Sequence, residues 1–153
     1  MYHHCVEHVE RPAHELGAAS QRRRPAGRVL VRIPLADSDA FERYGTRWVQ
    51  LDALRHRAIP TARGMALLAA CHGLRVVDEW RDSSAFQFWG SELYLRDIPL
   101  QSERALPKVV FGRAQLSNWQ RIAAELNVQN RGDQGAFVLE SALSPAERSS
   151  VSR

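Results

Sequence analysis

The sequence predicts an α/β domain organised on a doubly wound sheet, and three observations carry that expectation. Arg28 to Ile33 (RVLVRI) is a short β-branched run in which Val29, Leu30 and Val31 are consecutive and apolar. Such a run wants burial on both faces, as in the interior of a parallel sheet. Thr61 to Trp80 reads as helix, glycine, strand, the second half of an α/β unit. Helices and strands also alternate along the 153 residues instead of segregating into blocks.

Taken in order, Pro12 to about Arg24 reads as a first helix. Pro12 suits its first turn, Leu16, Ala18 and Ala19 give a small apolar face, and Pro25-Ala26-Gly27 ends it. The strand Arg28–Ile33 follows and is closed by Pro34. Asp37-Ser38-Asp39 caps a short helix over about Ala40 to Tyr44, which Gly45 stops. Thr61 starts the next helix, with Met65, Leu67, Leu68 and Cys71 on its apolar side and His72-Gly73 as its end. Leu74 to Trp80 (LRVVDEW) reads as a strand, and Ser83 to Pro107 as an aromatic-rich, irregular excursion. Ser117 caps a helix through about Val128, on which Trp119, Ile122, Ala123 and Leu126 share a face. Gly132 to Gly135 makes a turn into a final short strand, Ala136 to Glu140. One feature is discordant: the strand at Val29–Ile33 is expected to have nothing before it to pair with, since Met1 runs at once into a loop and a helix.

The composition, 44% hydrophobic and 25% charged with 9 Gly and 7 Pro, is that of an ordinary globular chain. It excludes a collagen-like repeat, a coiled coil and a disordered tail. No apolar run approaches the roughly 18 residues of a membrane helix. Met1 to His8 carries neither a basic n-region nor an apolar h-region, so no secretory signal is expected. Cys5 and Cys71 stand far apart, as in a thiol-containing cytoplasmic protein. The net charge of +4 and a pI near 9.7 raise nucleic acid as a partner. Against it, all of the 21 basic residues but Lys108 are arginine and they are spread along the chain, with Arg22-Arg23-Arg24 the one cluster. Arg121 to Val128 looks like the first half of a helix-turn-helix, but Gly132 and Gly135 weaken the second helix that motif needs.

Several segments together resemble the C-terminal half of class I S-adenosylmethionine-dependent methyltransferases. His3-His4-Cys5-Val6-Glu7-His8-Val9 with Pro12 is similar to the "hHxxEHhxxP" stretch that follows the fourth strand of that fold. Arg24-Pro25-Ala26-Gly27 leading into Arg28–Pro34 is similar to its "L-x-P-G-G" turn and fifth strand, with Ala26 in place of the first glycine. Trp48-Val49-Gln50-Leu51-Asp52-Ala53-Leu54-Arg55-His56 resembles a "WxQLDAPRH" string, with Leu54 where proline is usual. Phe86-Gln87-Phe88-Trp89-Gly90-Ser91-Glu92, Asp97-Ile98-Pro99-Leu100 and Asn130-Arg131-Gly132-Asp133-Gln134 resemble C-terminal signatures of a bacterial subgroup often found among glycan and secondary-metabolite genes.

The resemblance implies a Rossmann-like methyltransferase fold that is incomplete. Residues 1–143 correspond to its distal half, and 144–153 read as a loose tail. It implies S-adenosylmethionine as cofactor and a sugar or small metabolite as methyl acceptor. The first strands and the G-x-G-x-G turn that would cradle the cofactor are missing from this sequence, as from a truncated or mis-started gene. On the resemblance, His8 and His56 are the candidate bases for a hydroxyl acceptor, histidine being the residue type suited to proton transfer at neutral pH. A plainer role is open for each: His8 as a backbone-bonding residue ahead of a helix, His56 as a ligature of its own loop beside Arg55. His3 and His4 would border the adenosine, and Tyr44, Trp48, Arg55 and Trp89 the acceptor. Such aromatics equally serve as core packing. No metal site is expected, because adjacent residues such as His3 and His4 rarely chelate one ion unaided. Two other readings stand beside the enzyme: an inactive remnant that binds no cofactor, and a small basic module for nucleic acid. An exposed strand edge at Val29–Ile33 would favour self-association.

Overall fold

The computed structural model of the protein describes residues 1–24 and 26–143; Pro25 and the tail expected over 144–153 lie outside the described residues. The expected α/β class is the one observed. The elements are β1 (Tyr2–His3), α1 (Pro12–Arg22), β2 (Val29–Pro34), α2 (Asp39–Tyr44) and a 3-10 turn (Gly45–Arg47). They continue through α3 (Ala62–Ala70), β3 (Leu74–Arg81), α4 (Phe86–Leu95), α5 (Pro107–Val110), α6 (Gly112–Val128) and β4 (Gln134–Ser141).

The four strands form one sheet in the order β1-β2-β4-β3. β1 runs parallel to β2, pairing Tyr2 with Val31 and His3 with Arg32, so β2 does have a neighbour before it. The sheet is nonetheless mixed and not parallel throughout, because β4 lies antiparallel to both β2 and β3. The expectation of two buried faces for β2 is corrected as well. Val29, Val31 and Ile33 are buried while Leu30 and Arg32 are only half-buried, so the strand alternates. On the buried face Leu16 of α1 and Met65 and Ala69 of α3 pack with Val29, Val31, Ile33, Phe137 and Leu139. On the other face Leu30 pairs with Val138, and Trp80 with Ala136, in a layer where Trp80 stays 41% exposed.

Local chemistry explains the helix ends that the sequence foretells. The Ser38 hydroxyl accepts from the Phe41 N–H and the Thr61 hydroxyl from the Gly64 N–H, each satisfying an orphan donor of a first turn. Three expectations about helices are overturned. The stretch from Ser83 to Pro107 is not irregular: it holds α4, whose Gln87, Phe88, Gly90, Ser91 and Leu93 are all buried. α6 begins at Gly112, so Ser117 lies inside it and caps nothing. On α3, Leu67 is 58% exposed and Cys71 is exposed, and the buried face is Met65 and Ala69. α2, α4, α5 and α6 pack around a second core of Trp48, Phe88, Leu93, Phe111, Trp119 and Ala123, beside the sheet.

Candidate functional site

Because β1 and β2 are parallel, their carboxyl ends open on the same edge of the sheet, the position where open α/β sheets take their ligands. The chain leaves β1 through His4, which adopts φ +50°, a left-handed conformation that histidine tolerates better than most residues. That turn brings the His4 ring back onto the sheet. Its Nδ1–H donates to Glu7 Oε1 at 3.0 Å, and its Nε2 accepts from the Arg32 guanidinium at 2.9 Å. Arg32 also donates to His3 Nε2 (2.8 Å), to Asp82 Oδ2 (2.5 Å) and to Gln134 Oε1 (2.8 Å), and the Gln134 amide reaches His4 Nε2. His3 and His4, expected beside the adenosine, are thus both engaged by one arginine.

Glu7 sits beneath this edge with no exposed surface. Burial opposes its charge, but the bonds from His4 and from the peptide N–H, with the pull of the His4 and His8 rings, outweigh it and hold the carboxyl below its ordinary value. Its backbone carbonyl accepts from the Arg57 N–H at 2.6 Å and so ties the segment around Glu7 to the loop that carries His56. The consequence is a meeting of two distant segments. His8 and His56 approach with ring centroids 4.7 Å apart at an interplanar angle of 62°. His8 Nδ1–H donates to the Arg55 carbonyl (3.1 Å), and His56 Nδ1–H to the Gln50 carbonyl (2.7 Å). Both backbone-bonding roles open from sequence are therefore realised, and both leave Nε2 free to carry a lone pair. Asp52, at φ +35°, turns this loop and pairs with Arg55 at 2.8 Å.

A pocket of about 330 Å³ lies against His56, lined also by Phe41, Trp48, Leu51, Arg57 and Ile59 among others; His8 does not line it. Trp48 is buried in its wall, and its indole N–H donates to Asp133 Oδ2 at 3.0 Å. Burial pushes the Asp133 carboxyl up to about 6, although the Trp48 and Ser83 bonds pull the other way. His56 and Trp48 therefore line one pocket, and His8 reaches it only through the His56 ring and the Arg55 carbonyl; the Arg55 side chain pairs with Asp52 instead. Tyr44 and Trp89 do not join them. Tyr44 is buried in the helical core with its hydroxyl on Glu92 Oε1 at 3.1 Å, and burial raises its pKa further above an already high value. Trp89 lines a separate apolar groove of about 630 Å³ with Leu106, Pro107, Val109 and Leu116.

Glu7, Arg32, Asp82, Asp133 and Gln134 are residues of this site that sequence reasoning passed over. Glu7 stood inside a quoted motif, and only its missing exposure distinguishes it. Among the described residues no helix is long and apolar enough to cross a membrane.

No family model matches this chain, and no curated protein matches it. Among solved structures the chain is similar to the cyclopropane synthase MmaA2 from Mycobacterium tuberculosis, with a TM-score of 0.44 and 15% identity. That similarity covers 88% of this chain and 52% of the other, so the chain spans about half the length of that structure.

Proposed function

We propose that this chain is the distal, acceptor-side half of a class I S-adenosylmethionine-dependent methyltransferase. In this reading it acts on a hydroxyl of a sugar or small metabolite. The observation that carries the reading is the convergence of His8 and His56. They come from two separate sequence strings that resemble the same family, and their rings meet at 4.7 Å, with His56 lining a pocket that reaches Ala36 just beyond β2. Methyl transfer is an in-line displacement on a sulfonium methyl, so the protein's work is to orient the acceptor and to take its proton. With Nδ1–H held by a carbonyl, either histidine presents Nε2 as the proton acceptor. His3 and His4 would border the cofactor, steered by Arg32, and Trp48 and Arg55 would flank the acceptor. In this assignment Tyr44 and Trp89 support the helical lobe from which the acceptor pocket is built. The chain works in the cytoplasm in this reading.

The test is transfer of labelled methyl from S-adenosylmethionine to a panel of sugars and hydroxylated metabolites. It uses the chain joined to a segment carrying a G-x-G-x-G turn and a ribose-binding acid. His8→Ala or His56→Ala lowers turnover by roughly 10²-fold where that residue is the base, with cofactor affinity little changed. Wild-type turnover in both variants would remove them from the chemistry. No transfer in any combination favours the inactive remnant, and salt-dependent retention on DNA favours the basic module.

A further inference from the structure

We propose that Glu7, His8 and His56 form a binding site for one divalent ion of the zinc type. A carboxylate oxygen of Glu7 and one nitrogen of each ring all lie within 4.8 Å of one another. Two imidazoles and a carboxylate are a donor set that suits zinc and its first-row neighbours. Proximity alone does not make a site, and two further observations point to a cation. Glu7 is fully buried, yet its Oε2 accepts no hydrogen bond from any described residue. A buried carboxylate oxygen left so is costly, and a metal ion is the partner that satisfies it most completely.

The second observation is the orientation of the rings. Each Nδ1–H is donated to a backbone carbonyl, His8 to Arg55 and His56 to Gln50. That fixes the tautomer with the lone pair on Nε2, the outer-shell arrangement that holds metal-binding histidines. His4 occupies the first carboxylate oxygen of Glu7 and so fixes the carboxylate from the other side. Glu7 supplies the negative charge that two neutral rings lack. Because His8 is exposed, three protein ligands leave coordination positions open to water or to an acceptor hydroxyl. The site stands on this geometry and not on the methyl-transfer reading. Where both hold, an ion held by Glu7, His8 and His56 would lower the pKa of the acceptor hydroxyl, whose proton would pass to water, and the two histidines would be its ligands in place of acting as the base.

The test is titration of Zn²⁺ into the whole chain carrying Cys5→Ser and Cys71→Ser, since both thiols are exposed and thiolates are themselves zinc ligands. Calorimetry gives the stoichiometry, and Co²⁺ absorption reports the donor set. One ion per chain with micromolar or tighter affinity is expected, weakened at least about tenfold by His8→Ala and by His56→Ala. His14→Ala and His72→Ala leave the affinity unchanged. Circular dichroism of each variant separates lost binding from lost folding. Absence of saturable uptake, or an affinity in either histidine variant equal to that of the chain with both histidines, overturns the proposal whatever the chain's activity. Failure of methyl transfer with metal uptake intact leaves it standing.

Discussion

Asp133 is the residue whose environment is most at odds with its chemistry. It is buried behind Trp48, and its pKa rises from an ordinary 3.8 to about 6. A raised carboxyl pKa means the folded state holds the proton more tightly than the unfolded chain. The resulting penalty is absent below about pH 4, grows as pH rises towards 6, and is complete above it; the span corresponds to about 3 kcal/mol at most. Glu7 runs the other way. Its lowered pKa contributes stability above 4.5 that is lost as pH falls below that value. Between pH 5 and 7.5 only the Asp133 effect varies of these two. Asp133→Asn keeps an acceptor for the Trp48 indole and removes the ionisation. We therefore expect the melting temperature of the wild type to fall relative to Asp133→Asn from pH 5 to 7.5, and parallel profiles would contradict it. This pair shows what the sequence could not display, since 85 positions separate its members. His8 and His56 were legible because each sits in its own recognisable string. Burial of Glu7 was not, because it depends on contact with a loop some fifty residues away, whose Arg57 and Ala58 N–H groups donate to its carbonyl.

At the scale of elements, α4 shows where sequence periodicity fails. A helix that buries Gln87, Phe88, Gly90, Ser91 and Leu93 is surrounded on most sides, so no polar stripe marks its period. The capped helices, by contrast, were legible from Ser38, Thr61 and the glycines at their ends. α4 can approach the Trp48–His56 segment closely because Gly90 has no side chain. A Cβ there would lie 2.7 Å from Val49 Cγ2 and 3.0 Å from Val49 Cβ and the Phe86 ring. The Ser91 hydroxyl beside it accepts from the Val49 N–H at 3.0 Å and donates to the Gln87 carbonyl at 2.7 Å. Alanine at position 90 gains about 1 kcal/mol of helix propensity, whereas overpacking a core costs about 1–3 kcal/mol. The steric effect should win because the clash reaches the stiff Cβ of Val49 and not only a free methyl. Gly90→Ala is expected to lower the urea midpoint with an unchanged m-value; an unchanged or raised midpoint would show that Val49 yields.

For the whole molecule, the decisive feature is a sheet covered on one side. α1 and α3 bury the face of Val31 and Phe137, while Leu30, Val138 and Trp80 on the opposite face remain partly open. β1 pairs with only Val31 and Arg32, leaving the Val29–Leu30 part of that edge without a strand among the described residues. Such an edge, with Arg32 its only charge, invites a second copy. Sedimentation at tens of micromolar is expected to show dimers or larger species, and a monodisperse monomer with one cooperative thermal transition would contradict this. The alternation of elements made the α/β class legible from sequence, but the antiparallel entry of β4 between β2 and β3 was not, because strand direction depends on contacts made across the chain. The central claim is that this chain carries the acceptor side of a methyltransferase without the cofactor loop. Calorimetric titration of S-adenosylmethionine tests it most directly, into the chain alone and into the chain joined to a segment bearing the glycine turn and the ribose-binding acid. The account predicts no micromolar binding by the chain alone and its appearance in the joined protein; micromolar binding by the chain alone, or none by either, would contradict it.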